Sequence, residues 1–166
     1  MNKRLIGKLL LAAVLLIMLY AYHFGAQRDL KKELGRGYHI NMVHIATALS
    51  GLDYEKLTGL STEGNTYGSL DKLYITLRYS ELQSYEGLPE VYSVLSNTIM
   101  LISDYKHDGA LSQEKQEEFN ANVQKINAIV TDLEQLLDTD LDWYDTFTNP
   151  HEKVKERIEE RLEMGE

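Results

Sequence analysis

The stretch Leu9–Tyr22, LLLAAVLLIMLYAY, decides how the rest of this chain is interpreted, because it contains no charged or strongly polar residue. Extended by a few residues on each side, it reaches the roughly 20 helical residues that cross a hydrocarbon layer about 30 Å thick. Lys8 is then the only charge inside the span, and its ammonium group can reach the lipid headgroups from one end. Tyr20 and Tyr22 fall where an interfacial aromatic belt is expected. The sequence therefore predicts a transmembrane signal anchor at residues 9–24, with these three side chains at the membrane interface.

Two other interpretations of the apolar stretch stay open. A cleaved signal peptide has the same basic start and apolar run, but it also needs small residues at positions −3 and −1 from the cut. A cut after Ala26 places Phe24 at −3, and the neighbouring cuts are no better. A core helix of a soluble protein is the second alternative, although a fully apolar run behind a basic start is unusual there. We therefore favour an anchor that is not cleaved.

The orientation of the span is only weakly indicated by charge. The basic stub at residues 1–8 holds three cations and residues 25–37 hold four, so the positive-inside count is nearly balanced. The order of basic stub and apolar run resembles that of secreted proteins. It predicts a cytoplasmic N-terminus, with the rest of the chain outside the cell membrane. The lack of cysteine is compatible with an extracytoplasmic bacterial domain and also with the cytosol.

Composition and charge exclude several classes of protein. The chain has 166 residues, of which 43% are hydrophobic, so it is too apolar for a disordered acidic tail. Without cysteine it has no disulfide, thiolate zinc site, iron–sulfur cluster or cysteine nucleophile. The net charge of −9 divides unevenly along the chain. Residues 1–37 hold 7 Lys or Arg and 2 Asp or Glu, whereas residues 38–166 hold 10 Lys or Arg and 24 Asp or Glu. So acidic a domain is not expected to bind nucleic acid, and anionic lipid headgroups repel it.

Beyond the span, the sequence predicts an all-α fold. Residues 25–37 are polar and helix-compatible, and they predict a short juxtamembrane stalk that ends at Gly35 or Gly37. Apolar residues then recur every three or four positions in four segments, which is the period of an amphipathic helix. The segments are residues 38–57, Ser69–Tyr85, a helix from Pro89 to the turn at Asp108 and Gly109, and residues 113–138 behind the N-cap Ser112. Gly51 interrupts the first segment and is expected to end or bend its helix near Ser50.

Four segments of similar length, joined mostly by short turns, predict an antiparallel bundle of about four helices over residues 38–138. A three-helix core with the second helix at its edge is the structural alternative. The sustained spacing is also typical of coiled-coil oligomers, so a homo-oligomer stays open. An intramolecular bundle is favoured because each helix has only about three heptads.

The C-terminal part divides into an acidic linker at residues 139–149 and an amphipathic helix at residues 150–166. Pro150 suits the first helical position, and Asn149 with Glu152 matches a capping box. The apolar face of this helix is thin and its charges mix both signs. That pattern is typical of a solvated helix and also of one that binds a partner.

The residues that could carry chemistry do not form a known pattern. A di-iron bundle needs Glu-x-x-His on two helices, and of the five histidines only His107 has an acidic residue, Asp104, three positions earlier. The acidic stretch from Asp138 resembles the start of a calcium loop, but Trp143 stands where that loop needs glycine and Asn149 where it needs glutamate. Hydrolase and zinc-protease motifs are lacking. The sequence therefore predicts no metal, no cofactor and no catalytic residue, and hence a protein that is not an enzyme.

Aromatic residues supply a candidate partner surface. The chain has eleven tyrosines, which are common both at contact surfaces and at the edges of cores. The candidate contact residues are Trp143, Tyr144, Phe147 and Tyr67. Tyr67 lies in the longest connection, Thr58–Gly68, which is also compatible with a slack surface loop. Trp143 and Phe147 are expected to fold back against the C-terminal helix.

These observations support two hypotheses on function. The first is a membrane-anchored, extracytoplasmic helical-bundle protein that acts as a non-catalytic protein-interaction or scaffold module, with the lipid bilayer and a protein as its partners. The second is a sensory or accessory domain that binds a small ligand or peptide in a pocket between helices. The order of anchor, stalk and bundle is similar to that of bacterial sensory ectodomains in layout only, and no motif assigns the chain to a family.

Overall fold

The computed structural model describes residues 3–60, 68–81 and 85–164, with the backbone alone for residues 3–10. In these ranges the chain is helical and contains no strand, so the predicted all-α fold class is confirmed. The helices are α1 (Lys3–Leu49), α2 (Tyr54–Thr58), α3 (Ser69–Glu81), α4 (Pro89–Asp108), α5 (Gln113–Leu136), α6 (Asp140–Thr148) and α7 (Glu152–Leu162).

Helix α1 runs without interruption from the apolar start of the chain into the packed core. Its 47 residues extend over about 70 Å at 1.5 Å per residue. Among the described residues it is the one helix that is long and apolar enough to cross a membrane, and its apolar part is not buried. Its last turns, in contrast, bury Met42, Ile45 and Leu49. One helix therefore supplies both the candidate span and a wall of the core.

The expected helix stop at Gly35 or Gly37 is wrong. Both glycines lie inside α1, where each costs only about 1 kcal/mol relative to alanine. The left-handed conformation that favours a helix end occurs instead at Gly51, whose φ is 63°. The predicted stalk and the first predicted bundle helix are thus one element, and α2 follows as a separate short helix capped by Asp53.

Helices α4 and α5 follow the sequence prediction closely. Pro89 begins α4, which ends at Gly109 with a φ of 75°. Ser112 Oγ accepts a hydrogen bond from the Lys115 backbone N–H and caps α5. The predicted apolar face of α5 is buried, namely Phe119, Val123, Ile126, Val130 and Leu133, with Leu137 just after it.

The core lies where α1, α3, α4 and α5 meet. Helix α1 contacts α3, α5 and α6, helix α4 contacts α3 and α5, and α7 lies on α5. Helix α3 is described over Ser69–Glu81, and its buried apolar residues are Leu70, Leu73 and Leu77. Tyr85, the predicted end, is not helical, and residues 82–84 lie outside the described ranges. We use the name helical body for α2–α7 together with the part of α1 that packs against them.

The predicted acidic linker at residues 139–149 is largely a helix, α6. Thr139 and Asp142 form a capping box, in which Thr139 Oγ1 accepts from the Asp142 backbone N–H and the Asp142 carboxylate accepts from the Thr139 backbone N–H. The acidic first turn also complements the positive end of the helix dipole. Trp143 and Phe147, four residues apart, form the buried face. Capping and two large rings therefore fold a segment whose acidity suggested a solvated linker.

Helix α7 begins later than predicted. Its N-cap is His151, whose side chain makes no capping hydrogen bond. The capping box expected from Asn149 and Glu152 is wrong because Asn149 ends α6, where its backbone N–H donates to Asp145 O at 2.6 Å. The thin apolar face is as predicted, and its buried members are Val154 and Ile158.

Two glycines allow α6 to approach the rest of the chain closely. A Cβ atom on Gly35 would lie 1.7 Å from the backbone oxygen of Asp140, so α1 and α6 touch through their backbones there. A Cβ atom on Gly87 would lie 2.6 Å from the backbone oxygen of Thr146. The Gly87 N–H also donates to Phe147 O at 2.9 Å. Helix α6 is therefore held from two sides.

Replacing Gly35 by alanine should separate α1 from α6. The added methyl group collides with backbone atoms that cannot rotate away, so we expect the free energy of unfolding to fall by about 1–3 kcal/mol. Gly37→Ala is the matched control, because nothing lies within 4 Å of its Cβ position and the helix gains up to about 1 kcal/mol. Trp143, the sole tryptophan, reports denaturant unfolding of the full chain in detergent by its fluorescence. Equal stability of the two variants would contradict the close crossing.

Candidate functional site

The candidate site is the α1–α6 junction, which lies just beyond the apolar part of α1. Helix α6 crosses α1 at Gly35. On one side of the crossing Trp143 and Phe147 enter the core. On the side toward the apolar span there is a cleft of about 240 Å³, lined by Leu141 and Asp145 of α6 and by Phe24, Gln27, Arg28 and Lys31 of α1. Helix α6 thus forms the end of the helical body that faces the apolar span.

Stacked rings hold α6 in place. Phe147 stacks on Tyr38 with ring centroids 4.6 Å apart, and it also contacts Tyr85 at 5.5 Å. Trp143 stacks on His39 at 4.5 Å. Trp143 and Phe147 are 2% and 1% exposed. Aromatic pairs contribute about 0.5–1.5 kcal/mol each beyond the burial of their area, so packing is the main attraction at the junction.

A buried polar cluster lies beside these rings. Asn41 Nδ2 donates to Tyr85 Oη at 3.0 Å and to Ser80 O at 3.3 Å, and Tyr85 Oη donates to the same carbonyl oxygen at 3.2 Å. Burial raises the pKa of Tyr85 well above its ordinary value, so the hydroxyl stays protonated. The neutral hydroxyl, held between Asn41 Nδ2 and the Ser80 carbonyl oxygen, links α1 to α3.

Charges across the junction are complementary but exposed. Arg36 Nη2 donates to the Asp140 carboxylate at 3.2 Å, and Lys31 Nζ lies 5.2 Å from the centre of the Tyr144 ring. Contacts of this kind contribute about 1 kcal/mol or less each at exposed sites. They orient α6 on α1, whereas the buried rings supply the attraction.

Of the four predicted partner-surface residues, the structure describes Trp143, Tyr144 and Phe147. Trp143 and Phe147 lie in the core, and Tyr144 is half-buried next to Lys31. The expectation that Trp143 and Phe147 dock against the C-terminal helix is wrong, because their rings stack on α1. Tyr67 lies outside the described residues. A partner surface at these positions stays a prediction, and among the described members Tyr144 keeps the accessible area.

The residues predicted at the membrane interface belong to α1. Tyr20 and Tyr22 are 72% and 78% exposed, and Tyr20 stacks on Phe24 with ring centroids 6.4 Å apart. The backbone of Lys8 is helical, but its side chain lies outside the described residues. Large exposed apolar side chains continue from Leu11 to Phe24, so the helical body does not cover this part of α1.

No group of three or more His, Asp or Glu in the described ranges is placed to hold a metal ion. The stretch that resembles a calcium loop is helical from Asp140 to Thr148, so it does not wrap around an ion. The Asp142 carboxylate there accepts hydrogen bonds from N and Oγ1 of Thr139, both at 2.8 Å. It is therefore engaged in capping α6.

An open groove lies where the end of α5, helix α6 and the start of α7 meet. Its volume is about 570 Å³, and its apolar lining residues are Leu136, Leu137 and Val154. The polar lining residues are Asp142, Asp145, Thr146, Asn149, His151 and Lys153. Small-molecule sites occupy about 300–1,000 Å³, so the groove has the size of such a site.

Sequence reasoning missed the ion pairs that fix α7 on α5. Asp132 accepts from Arg161 Nε at 2.6 Å and Nη2 at 3.1 Å, and Arg157 Nε lies 3.0 Å from the same carboxylate. The carboxylate is nearly buried, and Arg161, with help from Arg157, holds the pKa of Asp132 below its ordinary value. The available signal was two arginines at i and i+4 on α7. Their partner could not be chosen from sequence among the many carboxylates of the chain.

Comparison with known protein families, with curated proteins and with solved structures found no match to this chain. Its function is therefore argued from the continuity of α1, the contacts of α6 and the distribution of charge.

Asp132→Asn should loosen the attachment of α7. We expect a loss of about 1–2 kcal/mol of unfolding free energy at pH 7, because the arginines are partly solvated and the pair is worth less than a fully buried one. The folded-state pKa of Asp132 lies below its unfolded value, so its contribution is present above about pH 4 and is lost as the pH falls through the lowered pKa. The difference between wild type and variant in denaturant unfolding should therefore shrink below about pH 4.

Glu156→Gln is the control for this change, because it removes an exposed carboxylate from α7 itself. A surface change of this kind alters stability by about 0.5 kcal/mol or less. The assignment fails if Glu156→Gln is as damaging as Asp132→Asn, or if the Asp132 difference grows as the pH falls.

Proposed function

We propose that this chain is a single-pass membrane protein that displays an antiparallel helical bundle outside the cell membrane, where it acts as a non-catalytic interaction or scaffold module. In this proposal residues 9–24 are an uncleaved anchor and the N-terminus is cytoplasmic. The partner is another protein of the same membrane or of its outer face. The observation that carries the proposal is that one helix, α1 (Lys3–Leu49), includes both the apolar span and a wall of the core.

The exposure of the apolar side chains supports anchoring. Large side chains from Leu11 to Phe24 are exposed around the helix, and so long an apolar surface is unfavourable in water. Beyond Phe24, the polar residues begin at Gln27 and Arg28. An anchor in the bilayer removes the apolar surface from water and leaves the polar residues at the headgroups.

The attachment of α6 supports a scaffold role. Because α1 continues through the stalk region and α6 crosses it at Gly35, the helical body has no flexible linker to the span. The body is therefore presented at a fixed height and orientation. Exposed large side chains on its sides include Tyr79 of α3 and Met100 of α4, which suit lateral contact with a protein.

The second candidate is a small-ligand or peptide-binding accessory domain. The groove of about 570 Å³ at the junction of α5, α6 and α7 favours it, since apolar and polar groups converge there. Binding in that groove would touch Asp142 and Asp145 of α6 and so connect a ligand to the α1–α6 junction.

The proposal is tested on intact cells with single cysteines and a membrane-impermeant, thiol-reactive crosslinker. The chain has no native cysteine, so Tyr79→Cys, Met100→Cys and Asn2→Cys each give one reactive site. We expect reaction at positions 79 and 100 and none at position 2. We also expect a discrete crosslinked adduct with one protein from both reactive positions.

Val130→Asp in the Tyr79→Cys chain is the control for folding. A buried, unpaired carboxylate at this core position costs several kcal/mol, so the body unfolds and the discrete adduct should disappear. Reaction only at position 2 would overturn the orientation. Reaction at positions 79 and 100 without any discrete adduct would overturn the interaction role.

A further inference from the structure

Two cations on α1, Arg28 and Lys32, form no ion pair within the described residues. Arg28 and Lys32 are one helical turn apart on the same face. Neighbouring Arg36 is paired with Asp140, and Lys31 lies over the Tyr144 ring. The charges of Arg28 and Lys32 are therefore available to an external anion.

Their height follows from helix geometry. Arg28 is four residues and Lys32 eight residues beyond Phe24, which places their backbones about 6 and 12 Å past the apolar stretch. The headgroup layer adds about 5–8 Å on each side of the hydrocarbon. Side chains of a helix tilt toward its N-terminus, which here is the direction of the span, and long basic side chains extend further that way. Both charged groups can thus reach the layer of phosphates.

Two adjoining clefts lie next to these cations. A cleft of about 610 Å³ between α1 and the start of α6 is lined by Arg28, Lys32, Arg36 and residues 138–141. The smaller cleft beside it adds the apolar side chains of Phe24 and Leu141 on the side of the span. The cations thus lie next to apolar side chains. This arrangement is complementary to a lipid, whose phosphate group is attached to apolar acyl chains.

Carboxylates limit the site to one face of α1. Asp138, just before α6, and Asp145 of α6 each line one of the two clefts. Asp29 and Glu33 follow the cations at the next positions of α1, about 100° around the helix. Asp140 is already neutralised by Arg36. In the larger cleft the two unpaired cations, Arg28 and Lys32, outnumber the one unpaired carboxylate, Asp138, so an anion is accepted on their face.

We propose that Arg28 and Lys32 bind the phosphate group of an anionic phospholipid at the α1–α6 junction. The inference rests on the proposed membrane anchoring. Arginine offers paired donors to a phosphate and lysine adds a point charge, so a headgroup with net negative charge is preferred over one that carries its own ammonium group. A lipid in this position stabilises the part of α1 onto which α6 packs.

The test uses the full chain in nanodiscs of phosphatidylcholine, with or without an equal part of phosphatidylglycerol. Thermal unfolding is followed by the fluorescence of Trp143, which reports the junction directly because its ring stacks on α1. We expect phosphatidylglycerol to raise the midpoint by about 4 °C or more, as a ligand of the folded state does. Inorganic phosphate added to phosphatidylcholine nanodiscs should leave the midpoint unchanged.

The double variant Arg28→Gln/Lys32→Gln should lose most of the shift while keeping the wild-type midpoint in phosphatidylcholine. Lys153→Gln/Lys155→Gln removes the same charge from exposed positions of the α7 region and should keep the shift. Equal wild-type midpoints in both lipids, or a shift that survives in the junction variant, would overturn the site. A shift produced by inorganic phosphate would overturn the lipid as its ligand. A chain that does not co-purify with nanodiscs would overturn the anchoring itself.

Discussion

The backbone contact between Gly35 and Asp140 is the constraint on which the rest of this structure depends. It brings α6 close enough to α1 for Phe147 to stack on Tyr38 and for Trp143 to stack on His39. A side chain at position 35 would lift α6 away and pull both rings from the core. Two large, fully buried aromatic side chains, Trp143 and Phe147, therefore depend on a residue that has no side chain.

That contact also determines how the helical body relates to the apolar span. Because α1 is unbroken from Lys3 to Leu49, the span and the core share one rigid axis. Along this axis the sequence passes from apolar to basic to acidic, with the basic part at the α1–α6 junction. In the proposed membrane setting, the basic part meets the headgroups while the acidic body is repelled from them. In that setting repulsion keeps the acidic body away from the headgroups, and the packing of α6 on α1 keeps it aligned with the apolar span.

The sequence predicts those elements whose signals are local. The apolar face of α5 and its cap at Ser112 follow from spacing and residue type alone, as do the start of α4 at Pro89 and its end at Gly109. The sequence does not predict helix α6, because its nine residues, of which three are acidic and three aromatic, show little helical period, although the capping pair Thr139 and Asp142 is present. Gly35 is a glycine that allows two helices to cross closely and not one that ends a helix. The sequence does not separate these two roles, because the difference lies in which distant segment packs against the glycine. The site shares this limitation, since the partner of Asp132 and the position of Trp143 depend on contacts between distant segments.

The central claim, that a single rigid helix connects the apolar span to the core, is tested most directly by a distance along α1. Spin labels on Gln27→Cys and Thr47→Cys occupy exposed positions on either side of both glycines. Twenty residues of continuous helix place the two backbones about 30 Å apart. Pulsed electron paramagnetic resonance on the full chain in detergent should give one narrow distance distribution near that value. A broad distribution, or a main peak several ångströms shorter, would mean that α1 bends or breaks at Gly35–Gly37 and would contradict the account.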